Sequence, residues 1–244
     1  MAYQVKMQEA ADMHGAFQKY RISNGGGAYA QFSLRGGTVE QVVLCAEGEP
    51  RMPVLAAPGR VRFFMDGAEV SLPEECWTLA DHGENWLLFA AGSEGADTQV
   101  LLRYAWMDHE RLVLDIAAEG GGADRLTYRT DFTFTLGGGA ESAYRLSLYG
   151  CQAEVTDEKG MLLPEANAEA EVAGQGLRPV AELVCPDSDM TMTAYSCFSR
   201  LHIARRAGIK LDTGSAVPCG WPQRVVYGFD PVYHGPNKVY PFAF

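Results

Sequence analysis

Two aspartates and a histidine, set far apart in the 244-residue chain, are the side chains best suited to moving protons: His82 in "LADHGENW", Asp131 in "YRTDFTFTL" and Asp212 in "IKLDTG". An imidazole changes charge near neutrality and a carboxylate can accept a hydroxyl proton. Brought together, they could act as acid and base on two neighbouring oxygens of one substrate. Arg129, on the same strand as Asp131, could hold such a substrate, because a guanidinium presents five donors in a fixed fork. Plainer readings stand beside these. Asp131 and Arg129 lie on one strand face and could form a solvated ion pair worth about 0–1 kcal/mol. His82 could be a turn residue next to Asp81, and Asp212 a turn residue in "LDTG". The stretch "CGWPQRVVYGFDPVYHGP" adds Trp221, Arg224, Tyr227, Asp230 and His234 in turn-rich sequence, where Trp221 and His234 could line a pocket. His14 and His109 read as turn residues. His202 alternates into a strand and reads as a paired histidine of the core.

Strands must position these side chains. In "YRTDFTFTL" the residues Tyr128, Thr130, Phe132, Phe134 and Leu136 fall on one face, while Arg129, Asp131, Thr133 and Thr135 fall on the other. The first face is core, and the second is either solvated surface or the floor of a polar site. The same period-2 alternation recurs from end to end, in "AYAQFSL", "GRVRFFM", "TQVLLRYAW", "ERLVLDIAAE" and "QRVVYGF" among others, with turn signals such as "NGGG", "MDG" and "CPDSD" between them. More than a dozen strand candidates without intervening helical periods predict an all-β, antiparallel sandwich or barrel, as one domain over residues 1–244. The best helix candidate is a short Ala- and Glu-rich run, "PEANAEAEVAG".

Composition narrows the chemistry. The chain is 47% hydrophobic and 21% charged, with a net charge of −11. That balance, without a Lys/Arg cluster, argues against nucleic acid and anionic membranes and favours a polar, uncharged ligand. No stretch suits a membrane span or a signal peptide, and the six cysteines are far apart with no CxxC pair, which predicts reduced thiols in a cytoplasmic protein. There is no HxH or HExxH, and no GGG run follows a strand and opens a helix. Neither a metal nor a dinucleotide cofactor is expected.

Four patterns, in order, resemble the galactose mutarotase-like fold of the aldose 1-epimerase superfamily. They are "YRISNGGGAYAQFSLRGGTVEQVVL"; "GRVRFFMDGAEVSLP" followed by "LADHGENWLLF"; "VLLRYAWMDHERLVLDIAAEG" leading into "YRTDFTFTL"; and "AEVTDEKGMLLP". They span roughly residues 12–165. The resemblance implies a large twisted antiparallel sandwich whose concave face binds a sugar. It also implies a base that takes the anomeric hydroxyl proton, a histidine that protonates the ring oxygen, and a further His and Arg that hold the sugar. By position, His82 falls at the family's His-Gly turn, and Arg60 or Arg62 at its sugar-holding arginine. Asp131 falls in the slot of the histidine in the motif written Asn-His-x-Tyr-Phe-Asn-Leu, with Thr133 in that of its tyrosine. Asp212, in "RRAGIKLDTGSAVP", stands in place of the basic Glu. The implied activity is cofactor-free interconversion of the anomers of a free or phosphorylated aldose. An ionised carboxylate only accepts hydrogen bonds, so Asp131 can serve as an acid only if burial raises its pKa. Without a working acid and base, the same fold would be a sugar-binding protein.

Overall fold

The computed structural model describes residues 2–13, 15–45, 51–70, 72–73, 77–92, 98–138, 142–216 and 223–231. Alternating sequence becomes twenty strands there, numbered here in chain order, in three sheets whose paired strands are all antiparallel. The first sheet runs in sequence order: β1 (Gln4–Asp12), β2 (Gly15–Ser23), β3 (Tyr29–Ser33), β4 (Thr38–Leu44) and β5 (Met52–Pro53). The second has eight strands, ordered β14 (Arg145–Leu148), β16 (Arg178–Cys185), β17 (Met190–Ser196), β20 (Gln223–Pro231), β11 (Arg111–Gly120), β10 (Thr98–Met107), β9 (Trp86–Gly92) and β8 (Thr78–His82). The third is ordered β15 (Asn167–Glu171), β18 (Arg200–Arg205), β19 (Ile209–Ala216), β12 (Leu126–Asp131), β6 (Arg60–Met65) and β7 (Ala68–Glu69), with β13 (Thr133–Phe134) also paired to β19.

Apolar residues of all three sheets share one large core, and Ala105, Val113, Tyr195 and Val226 of the second sheet form a separate small cluster. Phe32 of the first sheet meets Tyr104 of the second at 5.0 Å between ring centroids, and Phe132 of the third meets Tyr227 at 5.4 Å. Tilted aromatic pairs at these separations bury large areas and add roughly 1 kcal/mol each beyond area. In β12, Tyr128 and Thr130 are buried in this core while Arg129 and Asp131 are half-exposed. The all-β expectation and the two-faced reading of this strand both hold.

Two local expectations do not hold. The run 126–136 is not one strand: the ladder is interrupted at Phe132, whose N–H turns toward the Asp212 carboxylate and whose carbonyl accepts from Leu211 N–H. The helix candidate is also absent. Its residues 167–171 form edge strand β15, with Ala168 and Ala170 turned inward and Asn167, Glu169 and Glu171 exposed. Ala and Glu carry high helix propensity, but their period here is two, and pairing with β18 decides the outcome.

Gly59, just before β6, has almost no room: a Cβ there would lie 2.3 Å from the Phe132 ring. Gly59→Ala should therefore cost on the order of 1–3 kcal/mol by overpacking, read as a lower urea midpoint. An unchanged midpoint would show that Phe132 can yield. Among the described residues, no helix is long and apolar enough to cross a membrane.

Candidate functional site

The outward face of the third sheet carries the charged half of its strands, and antiparallel register lines those residues up in rows. Glu169 on β15 lies opposite His202 on β18, and His202 lies opposite Asp212 on β19. On the other side, Asp131 of β12 lies opposite Arg60 of β6. The two halves join because Arg129 pairs with Gly214, which brings Asp131 alongside Asp212 two residues further on. A second row, one pleat period away, reads Glu171, Arg200, Gly214, Arg129, Arg62. Lys210 follows beyond Asp212, opposite Ala204 on one side and Thr133 on the other. Across part of these rows and on to Thr127 and Phe64 runs a groove of about 480 Å³, whose lining includes Arg129, Arg200, His202, Asp212 and Gly214.

Asp212 is the centre of the arrangement. Its side chain is only 2% exposed. It accepts from the Phe132 N–H at 3.4 Å, lies 3.4 Å from His202 Nδ1, and accepts from Lys210 Nζ at 3.3 Å. Burial raises its carboxyl pKa from 3.8 to about 6. Neighbouring Asp131 pushes the same way, while Lys210 and the hydrogen bond with His202 hold it back. The group is thus poised to exchange a proton near neutrality. His202 is clamped from both sides, with Nε2 3.0 Å from Asn167 Oδ1, so both of its ring nitrogens face oxygens. Lys210 also donates to Asp131 at 2.6 Å, bridging the two carboxylates.

Two arginines of this face, Arg129 in the groove and Arg62 in the neighbouring pocket, are braced by acids from the sheet edges. Arg62 Nε donates to Glu69 Oε1 at 2.9 Å, with a second bond from Nη2 to Oε2, and its guanidinium lies over the Phe64 ring. Arg129 donates to Glu169 at 2.7 Å. Beneath the floor, on the core side, Thr213 N–H donates to Thr130 Oγ1 at 2.8 Å and the buried Tyr227 hydroxyl reaches the same oxygen at 3.4 Å. This polar layer pins β19 to β12 next to the break at Phe132.

The structure thus brings Asp131, Asp212, Arg62 and Arg129 onto one face, with the exposed Arg60 at its β6 end. His82 is not among them. It sits at the end of β8, on the edge of the other large sheet, exposed, with its backbone N–H donating to Asp81 Oδ1 at 2.8 Å. His82 thus stands on a different sheet from the two aspartates and is absent from the residues that line the groove. The Arg129–Asp131 ion pair is corrected, since Arg129 pairs with Glu169 and Asp131 with Lys210. Trp221 and His234 lie outside the described residues. His202, read from the sequence as a core residue, faces the groove. The signal was in "RLHIA", where Leu201 and Ile203 are buried and therefore turn Arg200 and His202 outward. Among the described residues, no group of three or more His, Cys, Asp or Glu side chains could hold a metal ion.

No family model and no curated protein matches the chain. Solved structures do match. A GalM/aldose epimerase homologue from C. elegans superposes with a TM-score of 0.66 at 11% identity, over 87% of this chain and 98% of that one. The fold is galactose mutarotase-like. Galactose 1-epimerase from Lactobacillus acidophilus NCFM matches with a TM-score of 0.60 at 10% identity, over 95% of this chain and 100% of that one. A galactose mutarotase-like protein from Clostridium acetobutylicum gives 0.60 at 9%, over 93% and 99%. At such identities the galactose mutarotase-like likeness is one of fold, and the chemistry has to be argued from the side chains.

Proposed function

We propose that the protein is an aldose 1-epimerase-like enzyme that interconverts sugar anomers by acid–base catalysis in the groove of the third sheet. The observation that carries this is Asp212: a nearly inaccessible carboxyl, poised near pH 6, hydrogen-bonded to a histidine at the floor of an open polar groove. A buried carboxylate held beside another carboxylate is costly to a fold that does not use it.

In this reading the ionised Asp212 takes the proton from the anomeric hydroxyl, while His202, its Nε2 exchanging Asn167 Oδ1 for the substrate, gives one to the ring oxygen. The bond from the anomeric carbon to the ring oxygen breaks, leaving an open-chain aldehyde. Rotation about the adjacent carbon–carbon bond and reclosure on the other face, with the two proton transfers reversed, complete the exchange. Lys210 offsets the repulsion between Asp131 and Asp212, and Arg62 and Arg129 hold sugar hydroxyls with donors that Glu69 and Glu169 leave unused.

NMR exchange spectroscopy between the α and β anomers of glucose and galactose tests this directly. Exchange faster than in buffer, rising with pH through a midpoint near 6 as Asp212 ionises, is the expected result. His202→Gln should lower the exchange rate by roughly 10²-fold. The second reading is a non-catalytic sugar-binding protein, favoured by the tight bond of Lys210 to Asp131, which suits a fixed acceptor better than a proton donor. Sugar-induced thermal stabilisation without accelerated exchange would select it.

A further inference from the structure

The break between β12 and β13 is not an insertion. Arg129 opposes Gly214 before it and Thr133 opposes Lys210 after it, four residues on along one segment and four back along the other. Register is therefore kept while the main-chain ladder is interrupted, and two side chains stand in for backbone acceptors. The Asp212 carboxylate takes the Phe132 N–H, and the Thr130 hydroxyl takes the Thr213 N–H at 2.8 Å. Thr130 is fully buried. Its oxygen also accepts from the Tyr227 hydroxyl at 3.4 Å and can donate to the Thr213 carbonyl oxygen, likewise 3.4 Å away. Burial holds the Tyr227 phenol above its usual pKa, so it remains a donor at every working pH. Tyr227 belongs to β20 of the second sheet, so this chain of hydroxyls crosses the core and ends on the amide next to Asp212. Neither Thr130 nor Tyr227 lines the groove.

We infer that Thr130 and Tyr227 are positioning residues for Asp212: through the Thr213 amide they hold β19 against β12 and keep the carboxyl sunk in the sheet beside Phe132 and His202. As a statement about catalysis this rests on the acid–base reading above. Thr213 follows Asp212 directly, so a displaced Thr213 amide carries the carboxyl with it. A buried N–H left without an acceptor is costly, and in the absence of the Thr130 hydroxyl the Thr213 amide must move toward water or another oxygen. The carboxyl then rises toward solvent. The groups facing it are Lys210 on its own strand, His202 on β18, Asp131 on β12, Arg62 on β6 and Tyr227 beneath. Removing the Thr130 hydroxyl alters none of these charges, so a displaced titration of Asp212 reports where its carboxyl sits.

The test is a carboxyl ¹³C NMR titration of the full chain labelled at aspartate, with the Asp212 signal assigned by its loss in Asp212→Asn and glucose anomer exchange followed on the same samples. Thr130→Val keeps the size of the side chain and removes the hydroxyl. Burial is the main cause of the raised Asp212 pKa, so the midpoint should fall from about 6 toward 3.8, by about half a pH unit or more. The pH profile of exchange should move with it, and its plateau should drop roughly 10-fold, as expected for a misplaced catalytic group. Thr130→Ser, which restores the hydroxyl, should return both. Tyr227→Phe should lower the midpoint by a smaller amount, and it carries the test alone should Thr130→Val not fold. A midpoint that stays or rises in the folded variants overturns the inference and leaves the hydroxyls a role in the fold only; exchange by the unaltered chain would then still support the epimerase reading. A lowered midpoint in a chain that exchanges no sugar sustains the positioning of Asp212 and overturns the epimerase reading.

Discussion

Replacing Asp212 with asparagine should lower anomer exchange by 10²-fold or more, the ordinary worth of a positioned acid–base group being about 10²–10⁴, and should leave the fold no less stable at neutral pH. The two halves of this result follow from one fact. The folded state holds the Asp212 carboxyl at a pKa of about 6, against 3.8 for the group in solvent. Between those values the native chain binds more protons than the unfolded chain, so stability falls as pH rises from about 4 to about 6 and then levels off. Holding the charge buried at pH 7 costs on the order of 3 kcal/mol. Asparagine keeps the shape, and its amide oxygen can still accept the Phe132 N–H, but it carries no charge to bury. Part of the gain is lost with the attraction to Lys210, which retains Asp131. Urea unfolding at pH 4, 5 and 7 should therefore show the variant gaining on the native protein as pH rises. A variant destabilised by the same amount at every pH would mean that Asp212 is a structural acceptor and that its burial serves the fold.

The second large effect is expected away from the groove floor, at Arg178. Its guanidinium is bound entirely by main-chain carbonyls: Nε to Ala173 at 2.7 Å, Nη1 to Gly176 at 2.9 Å and Ser196 at 3.4 Å, and Nη2 to Val172 at 3.1 Å and Phe198 at 3.2 Å. Ser196 ends β17, and the other carbonyls belong to two loops, one leaving β15 and one entering β18, the second of which leads directly to Ser199 and Arg200 at the lip of the groove. Arg178→Met keeps much of the side chain's length but leaves five acceptors without their donor. A loss of about 3 kcal/mol is expected, given that single hydrogen bonds to charged groups are worth roughly 1.5–3 kcal/mol and do not add. In a chain of this size that is a drop in melting temperature of roughly 6–12 °C. Arg178→Lys should recover only part of it, because an ammonium is a point donor and cannot span five carbonyls arranged around a planar fork. A loss below about 0.5 kcal/mol for Arg178→Met would show that water replaces the fork.

How far the sequence could be read depended on the range of the interaction. Period-2 alternation is local, and it correctly divided Tyr128 and Thr130 from Arg129 and Asp131. Partners are not local. Lys210 lies 79 residues from Asp131 and Glu169 lies 40 from Arg129, and no pattern within a strand announces either pair. The resemblance pointed to the region of Asp212 and Asp131, but motif order carried His82 along with them, and only the hairpin geometry shows it on the other sheet. Taken alone, His202 reads as a core histidine, whereas its buried strand neighbours Leu201 and Ile203 determine that it faces outward. The run from Asn167 to Glu171 was misread because its composition favours helix while its period does not.

One wall of the groove is built on an edge strand of its sheet. Among the described residues β15 has a neighbour on one side only, and the Asn167 amide that steadies His202 rides on this exposed margin. Backbone amides there should trade protons with deuterated water well before those of β19, where both edges are taken. A brief lifting of that margin would release the imidazole and widen the entrance in the same movement. Turnover in such a design would be paced by how often the outermost strand lets go.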